Sequence, residues 1–199
     1  MQHIPVRCQN CTNPFCMSLP RDALTKICES SQTISFRPKK EQYVCFDRGH
    51  IMIIEDGQLM TIKTNADGKQ QGIDILRSGD LLGIVQLFSS ENQNIISLLP
   101  LSPVKGCIIS VNLFENIIRS DNNVAILTIS HMASRFYRAV DHLYEGSISE
   151  SMKKLNNAIS ITRSSGNNTI THEELSILSG LNRVTVTKSL KNSKDYSEK

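Results

Sequence analysis

The apolar positions of this chain fall into three successive patterns. From Ile34 to about Val111 they come as short β-prone runs: Tyr43–Phe46, Ile51–Ile54, Leu59–Ile62 and Ile73–Leu76. Turn signals separate them, namely Asp47-Arg48-Gly49, Asp56-Gly57, Ala66-Asp67-Gly68 and Ser78-Gly79-Asp80. Asp-Gly between apolar runs supplies the positive φ of a tight hairpin. Strands at a spacing of roughly ten residues predict a compact antiparallel sandwich or β-roll.

From about Asn122 to Glu145 the period changes. Ile126, Ile129, Ala133, Phe136, Val140 and Leu143 step by threes and fours in alternation. That is the a/d seam of a two-stranded coiled coil, although a single amphipathic helix packed on its own domain would carry the same stripe. The length of the run, and Arg135, Arg138 and Asp141 on its other face, favour the dimer seam. Gly146 is expected to end this helix and Ser147 to cap the next one.

From Thr169 onward the pattern is that of a helix-turn-helix. Thr171-His-Glu-Glu174 has the form of a capping box, Leu175 and Leu178 form the inward face, and Gly180 makes the turn over Leu181. A second helix is expected from about Asn182 to Asn192. Its inward positions are Val186 and Leu190, which leaves Asn182, Arg183, Thr185, Thr187, Lys188 and Lys191 facing out. A short, polar, basic second helix after a Gly turn suits the major groove of double-stranded DNA.

Charge sharpens that picture. The 199 residues carry a net charge of only +3, but residues 151–199 hold eight Lys/Arg against four Asp/Glu. The remainder is close to neutral, so a basic C-terminal module sits on a near-neutral body. A hydrophobic content of 39% and a mean hydropathy of −0.20 describe a globular chain. No apolar run approaches the ~20 residues of a membrane-spanning helix. No signal peptide precedes the body, so a cytoplasmic protein is expected.

In that reducing compartment six cysteines argue for metal or redox chemistry over a disulfide framework. Three are clustered in the run Cys8-Gln-Asn-Cys11-Thr-Asn-Pro-Phe-Cys16. Two thiolates separated by two residues can chelate one soft metal centre and a third can close around it, which suits zinc or an iron–sulfur cluster. Such a centre wants a fourth ligand, for which Cys28, Cys45 and Cys107 are the candidates. Cys28 and Cys45 read more readily as buried small hydrophobes. Enzymatic activity is not expected. His50, His131, His142 and His172 are scattered, no nucleophile–base pairing is suggested, and no Gly-rich phosphate loop is present. His131 and His142 are expected as surface or seam residues of the long helix.

A roll, a long dimerisation helix and a C-terminal helix-turn-helix together resemble the CRP/FNR family of bacterial transcription regulators over nearly the whole chain. The segment Ile73-Asp-Ile-Leu-Arg-Ser-Gly-Asp-Leu-Leu-Gly-Ile-Val-Gln-Leu-Phe88 is similar to the family's Gly-Asp…Gly…Leu-Phe stretch. Gly180-Leu-Asn-Arg-Val-Thr-Val-Thr-Lys188 is similar to its turn and recognition helix. The resemblance implies an α+β fold: an N-terminal antiparallel β-roll like those that bind cyclic nucleotides, a long dimerisation helix, and a helix-turn-helix. The implied organisation is an N-terminal cysteine-rich arm and helix (1–30), a roll (31–118), a dimerisation helix (119–146) and a DNA-binding domain (147–199). The sequence runs only to Lys199, so a helix-turn-helix lacking a full wing, with fewer phosphate contacts, is expected.

Cyclic-nucleotide binders of the family carry a Glu after the Gly that follows Gly-Asp, and later an Arg-Ser pair. Here Ile84 follows Gly83, and residues 89–96 contain no Arg. Cyclic AMP is therefore not an expected ligand. The oxygen-sensing FNR branch is more similar: its cysteine run looks like Cys8, Cys11 and Cys16, and its distant fourth cysteine precedes a segment similar to Ile108–Glu115, which puts Cys107 in that role. The resemblance implies a [4Fe–4S] cluster on Cys8, Cys11, Cys16 and Cys107 that favours the DNA-binding homodimer and decays with oxygen or nitric oxide, with RNA polymerase as a further partner. Thr12 and Phe15 are candidate controllers of oxidant access, or simply a loop residue and a packing aromatic. Two departures stand out. The third cysteine follows after four residues rather than five, and Val184 replaces a Glu of the recognition helix. Arg183 could still reach guanine, with Thr187 and Lys188 as polar and basic contacts. A small effector bound in the roll, or zinc or a thiol switch at the cysteines, is the alternative reading.

Overall fold

The computed structural model describes residues 11–38, 46, 49–88, 97–148, 150–164 and 169–192. Two short helices come first, α1 (Pro14–Met17) and α2 (Arg21–Ser30). Strands β1 (Gln32–Phe36), β2 (His50–Asp56), β3 (Leu59–Thr64), β4 (Gln70–Leu76) and β5 (Leu81–Leu82) follow, then a 3-10 turn at Ile84–Leu87. Next come β6 (Ser97–Pro100), β7 (Val104–Ser110), α3 (Val111–Ser120) and the long α4 (Asn122–Ile148). Helices α5 (Ser151–Ser164), α6 (His172–Ser179) and α7 (Arg183–Asn192) complete the described chain.

The strands form two antiparallel sheets, β1-β7-β2-β5 and β4-β3-β6. Side chains alternate across a strand, so a run of apolar residues without alternation means that both faces are covered. Ile51–Ile54 of β2 is such a run. Met52 and Ile54 join Leu59, Leu76, Leu98 and Val104 between the sheets, whereas Ile51 and Ile53 face outward. There they meet Phe15, Leu19 and Ile27 of the arm and Phe114 and Ile117 of α3. The second sheet behaves likewise: Met60, Ile62, Ile75 and Leu99 face outward onto Leu155 of α5, Leu175 and Leu178 of α6, and Val186 and Leu190 of α7. The α+β roll with a long helix and a helix-turn-helix is thus present. Of the Tyr43–Phe46 run only Phe46 is described, and it packs on the core between the sheets; Asp47 and Arg48 lie outside the described residues.

Helix α4 is tied to the roll by its charged face. Arg135 donates from Nε to Asp74 Oδ2 (3.1 Å) and from Nη1 to the Leu81 carbonyl (2.6 Å). Arg138 donates from Nη2 to both carboxylate oxygens of Asp80, at 2.8 and 2.9 Å. Asp74 and Asp80 are both buried, so these pairs fix the helix rather than decorate it. The expected stop at Gly146 is not observed, since the helix continues to Ile148 and the next begins at Ser151. Gly146 is not among the positive-φ glycines, and a glycine late in a long helix costs only ~1 kcal/mol. Ser147 does not cap α5; its hydroxyl donates back to the Tyr144 carbonyl (2.8 Å).

Candidate functional site

The cysteine arm is held on the roll by Asn13 and Phe15. Asn13 is the N-cap of α1: its Oδ1 accepts from the Cys16 amide at 3.1 Å, and Pro14 begins the helix. Its Nδ2 donates to the Ile54 carbonyl of β2 at 2.6 Å, a buried bond. Phe15 is fully buried and stands edge-on to the His131 ring of α4, with centroids 5.1 Å apart, and beside Phe114 of α3. Of the two candidate access controllers, Phe15 is therefore a packing aromatic and Thr12 is exposed.

This anchoring brings Cys11 and Cys16 to Cys107. Cys107 lies on β7 opposite Ile53 of β2 and shares the outer face with Ile109. Its thiol donates to Glu55 Oε1 at 2.9 Å, and Glu55 Oε2 pairs with Lys105 at 2.9 Å. Burial, a hydrogen bond and repulsion from Cys11, then Cys107 and Glu55, hold the Cys16 thiol far above the ordinary thiol range. A soft cation that binds thiolates would offset the cost of ionising Cys16 there. The residues therefore fit a thiolate-bound centre in their chemistry. Among the described residues, however, no group of three or more His, Cys, Asp or Glu is arranged to hold a metal ion, and Cys8 lies outside them. Cys45 does too. Cys28 is buried, as expected, and is disulfide-bonded, so it offers no free thiolate as a fourth ligand.

The expected seam of α4 is exposed. Ile126, Ile129 and Phe136 are 62, 60 and 66% accessible, Val140 and Leu143 about two-fifths, and Ala133 is exposed. Apolar side chains in line on one helix face mark an interaction surface. The histidines of this helix depart from expectation. His131 is half-buried against Phe15, and His142 is buried between β4 and α6. Burial pushes both imidazoles down.

In the helix-turn-helix the capping box is complete: the Glu174 amide donates to Thr171 Oγ1, and the Thr171 amide to Glu174 Oε2 at 2.7 Å. Gly180 makes the turn at φ 69°. Asn182 caps α7 by accepting from the Thr185 amide (2.8 Å), so it stands just before the helix rather than within it. Arg183, Lys188 and Lys191 are exposed; Arg183 is 3.8 Å from exposed Glu173, a pairing too solvated to restrain it. Thr185 and Thr187 are half-buried. Thr187 is turned inward by contacts of its hydroxyl with His172 Nδ1 (3.2 Å) and the Arg183 carbonyl (2.9 Å). Val184, 63% accessible, projects from the outer face instead. Sequence reasoning missed Asn13, Glu55 and the buried role of His142; the Asn-Pro pair ahead of Phe15 is the one local signal among them.

By sequence the chain matches no protein-family model and no curated protein. By structure it is similar to a protein assigned to the CRP/FNR family from Eubacterium rectale ATCC 33656, with a TM-score of 0.69 and 20% identity over 90% of this chain and 85% of that one. The c-di-GMP-responsive global regulator CLP of Xanthomonas campestris gives 0.71 at 12% identity, over 87% and 91%. A CRP/FNR-family transcriptional regulator from Thermus thermophilus gives 0.65 at 16%, over 81% and 84%. The fold is that of the CRP/FNR regulators. In the roll, Ile84 is buried and has no polar group to offer. Among the described residues no helix is long and apolar enough to cross a membrane.

Proposed function

We propose that the chain is a DNA-binding transcription regulator that works as a homodimer and senses oxygen, nitric oxide or redox state at Cys8, Cys11, Cys16 and Cys107. The observation that carries this reading is the meeting of Cys107 with Cys11 and Cys16 on the roll face where α3 and the start of α4 pack. A [4Fe–4S] cluster on these four thiolates would supply an oxidant-labile centre. The protein side is the chain's own. Asn13 and Phe15 set the position of the arm, and Phe15 touches His131 of the long helix. The state of the thiols thereby biases the packing of α4, whose exposed stripe from Ile126 to Leu143 receives the second copy. Arg183, Lys188 and Lys191 then meet the duplex. RNA polymerase is the expected downstream partner, and cyclic AMP is not an expected ligand.

The test is purification without air, followed by a visible spectrum, iron and sulfide analysis, and anisotropy titration of a duplex at several salt concentrations. The expected result is a broad visible absorption that bleaches in air, with iron lost in Cys107→Ala and DNA binding that weakens with salt. A colourless chain after anaerobic reconstitution would overturn the cluster and leave zinc or a thiol switch, which the contact between Cys11 and Cys16 favours.

A further inference from the structure

The space between the two sheets is filled by side chains such as Met52, Leu59, Leu76 and Leu98. A cleft of about 230 Å³ lies instead outside the roll, where β4, the end of α4, α5 and α6 meet. Its apolar wall comes from Ile75, Ile161 and Leu178. Its charged lining includes Arg77 and Asp141, which make no ion pair among the described residues. Arg138 gives only Nη2 to Asp80 and keeps its other N–H groups, and Glu145 stands one helical turn from Asp141. His142 also lines the cleft; it is 7% exposed, and neither ring nitrogen has a hydrogen-bond partner of good geometry.

We propose that this cleft binds a small zwitterion of the α-amino-acid type, the carboxylate on Arg77 and Arg138, the ammonium on Asp141, and an aliphatic side chain on the Ile75–Leu178 wall. Guanidinium groups match carboxylate geometry. A plain anion would meet the Asp141 carboxylate, and a plain amine would meet the two guanidiniums, so a ligand with both charges suits the lining best. The volume lies below the ~300 Å³ at which drug-sized pockets begin, which points to something smaller than a nucleotide. The walls come from the roll, the long helix and the helix-turn-helix, so the ligand stabilises their present arrangement. An effect on DNA affinity rests on the function proposed above.

The experiment is calorimetric titration of the full chain with each standard L-amino acid, with inorganic phosphate and ethylamine as single-charge probes. The expected result is saturable binding of at least one aliphatic amino acid, weakened about tenfold or more in Arg77→Gln and in Asp141→Asn. Both side chains are exposed, so the melting temperature without ligand should not move. The site is overturned if no amino acid binds, if phosphate or ethylamine binds as tightly, or if both variants bind unchanged. Duplex affinity measured with and without the amino acid separates the two readings. A ligand-dependent change supports the coupling, whereas binding without such a change overturns the coupling alone. A chain that binds the amino acid but never binds DNA overturns the proposed function and not the site.

Discussion

Both sheets of the roll turn apolar side chains outward, and both outer faces are covered by helices, but the covers differ in kind. On the β1-β7-β2-β5 sheet the cover is a short arm whose α1 has only four residues. It is held by the Asn13 amide and by Phe15, Leu19, Ala23 and Ile27. On the β4-β3-β6 sheet the cover is a three-helix unit with its own caps and turn. Helix α4 touches both. His131 and His142 are about three turns apart at ~3.6 residues per turn, so both face the roll. His131 meets Phe15 of the first cover, and His142 meets the second near Leu178. The arm adds single side chains to a core that it shares with α3 and α4. A capped unit with its own core is expected to move as a whole.

The largest effects should come from removing the central side chain of each cover. Phe15→Ala empties a fully buried aromatic site and is expected to cost ~3–5 kcal/mol, and Leu178→Ala ~2–5 kcal/mol, by urea unfolding. The local consequences should differ. Phe15→Ala should speed alkylation of Cys16, now held protonated largely by burial, while leaving α6 and α7 in place. Leu178→Ala should loosen the helix-turn-helix and leave Cys16 as slow as before. Equal exposure of Cys16 in both variants would show that the covers are one cooperative unit.

What could be seen in the sequence follows the range of the interactions. The helix-turn-helix was legible because its determinants are local: the Thr171–Glu174 box, the turn at Gly180 and the spacing of Val186 and Leu190. The strands at Ile51–Ile54 and Leu59–Ile62 were legible too, because two-sided burial leaves an unbroken apolar run. The stripe on α4 follows from its alternating steps of three and four, and the structure leaves it exposed, whereas the end of that helix does not follow from Gly146. Other features depend on segments far apart in the chain. Thr187 turns inward because His172 stands beside it. His142 is buried because β4 and α6 close over it. Cys107 was picked out by resemblance, since nothing in its own surroundings in the sequence marks it as a partner of Cys16; Glu55 could not have been picked out at all.

Two substitutions probe the second cover more gently. At Gly72 an added Cβ would lie 2.9 Å from Met60 Sδ and 3.1 Å from Leu178 Cα. The methionine can yield but the backbone of α6 cannot without moving. Gly72→Val should therefore push the helix-turn-helix off its sheet at a cost of ~1–3 kcal/mol, read as faster amide exchange in α6. Unchanged exchange would mean that the close approach is not needed. Thr171→Ala removes one arm of the capping box and should cost ~1 kcal/mol. Because the box is exposed, its loss should fray the start of α6 without altering Cys16.

The smallest effect is one of pH, and it distinguishes the covers through the two histidines of α4. Burial lowers both, His142 against the favourable nearby backbone of Leu178 and Gly72 and the charge of Asp74. For His131, Asp80 pulls upward and Arg138 downward. Arg138, Asp141 and Glu145 on α4 and Arg77 after β4 also border the His142 cleft. The unfolded ring, at the ordinary value of 6.5, takes a proton before the folded one does. Each histidine therefore leaves stability at its full value above that pH and subtracts from it as the pH falls below, until the folded ring itself titrates. His142 is the more buried, so His142→Phe should flatten the acid side of the stability curve more than His131→Phe. The reverse order in urea midpoints taken between about pH 7 and 5 would mean that the thiol cover, and not the helix-turn-helix, is the acid-sensitive joint.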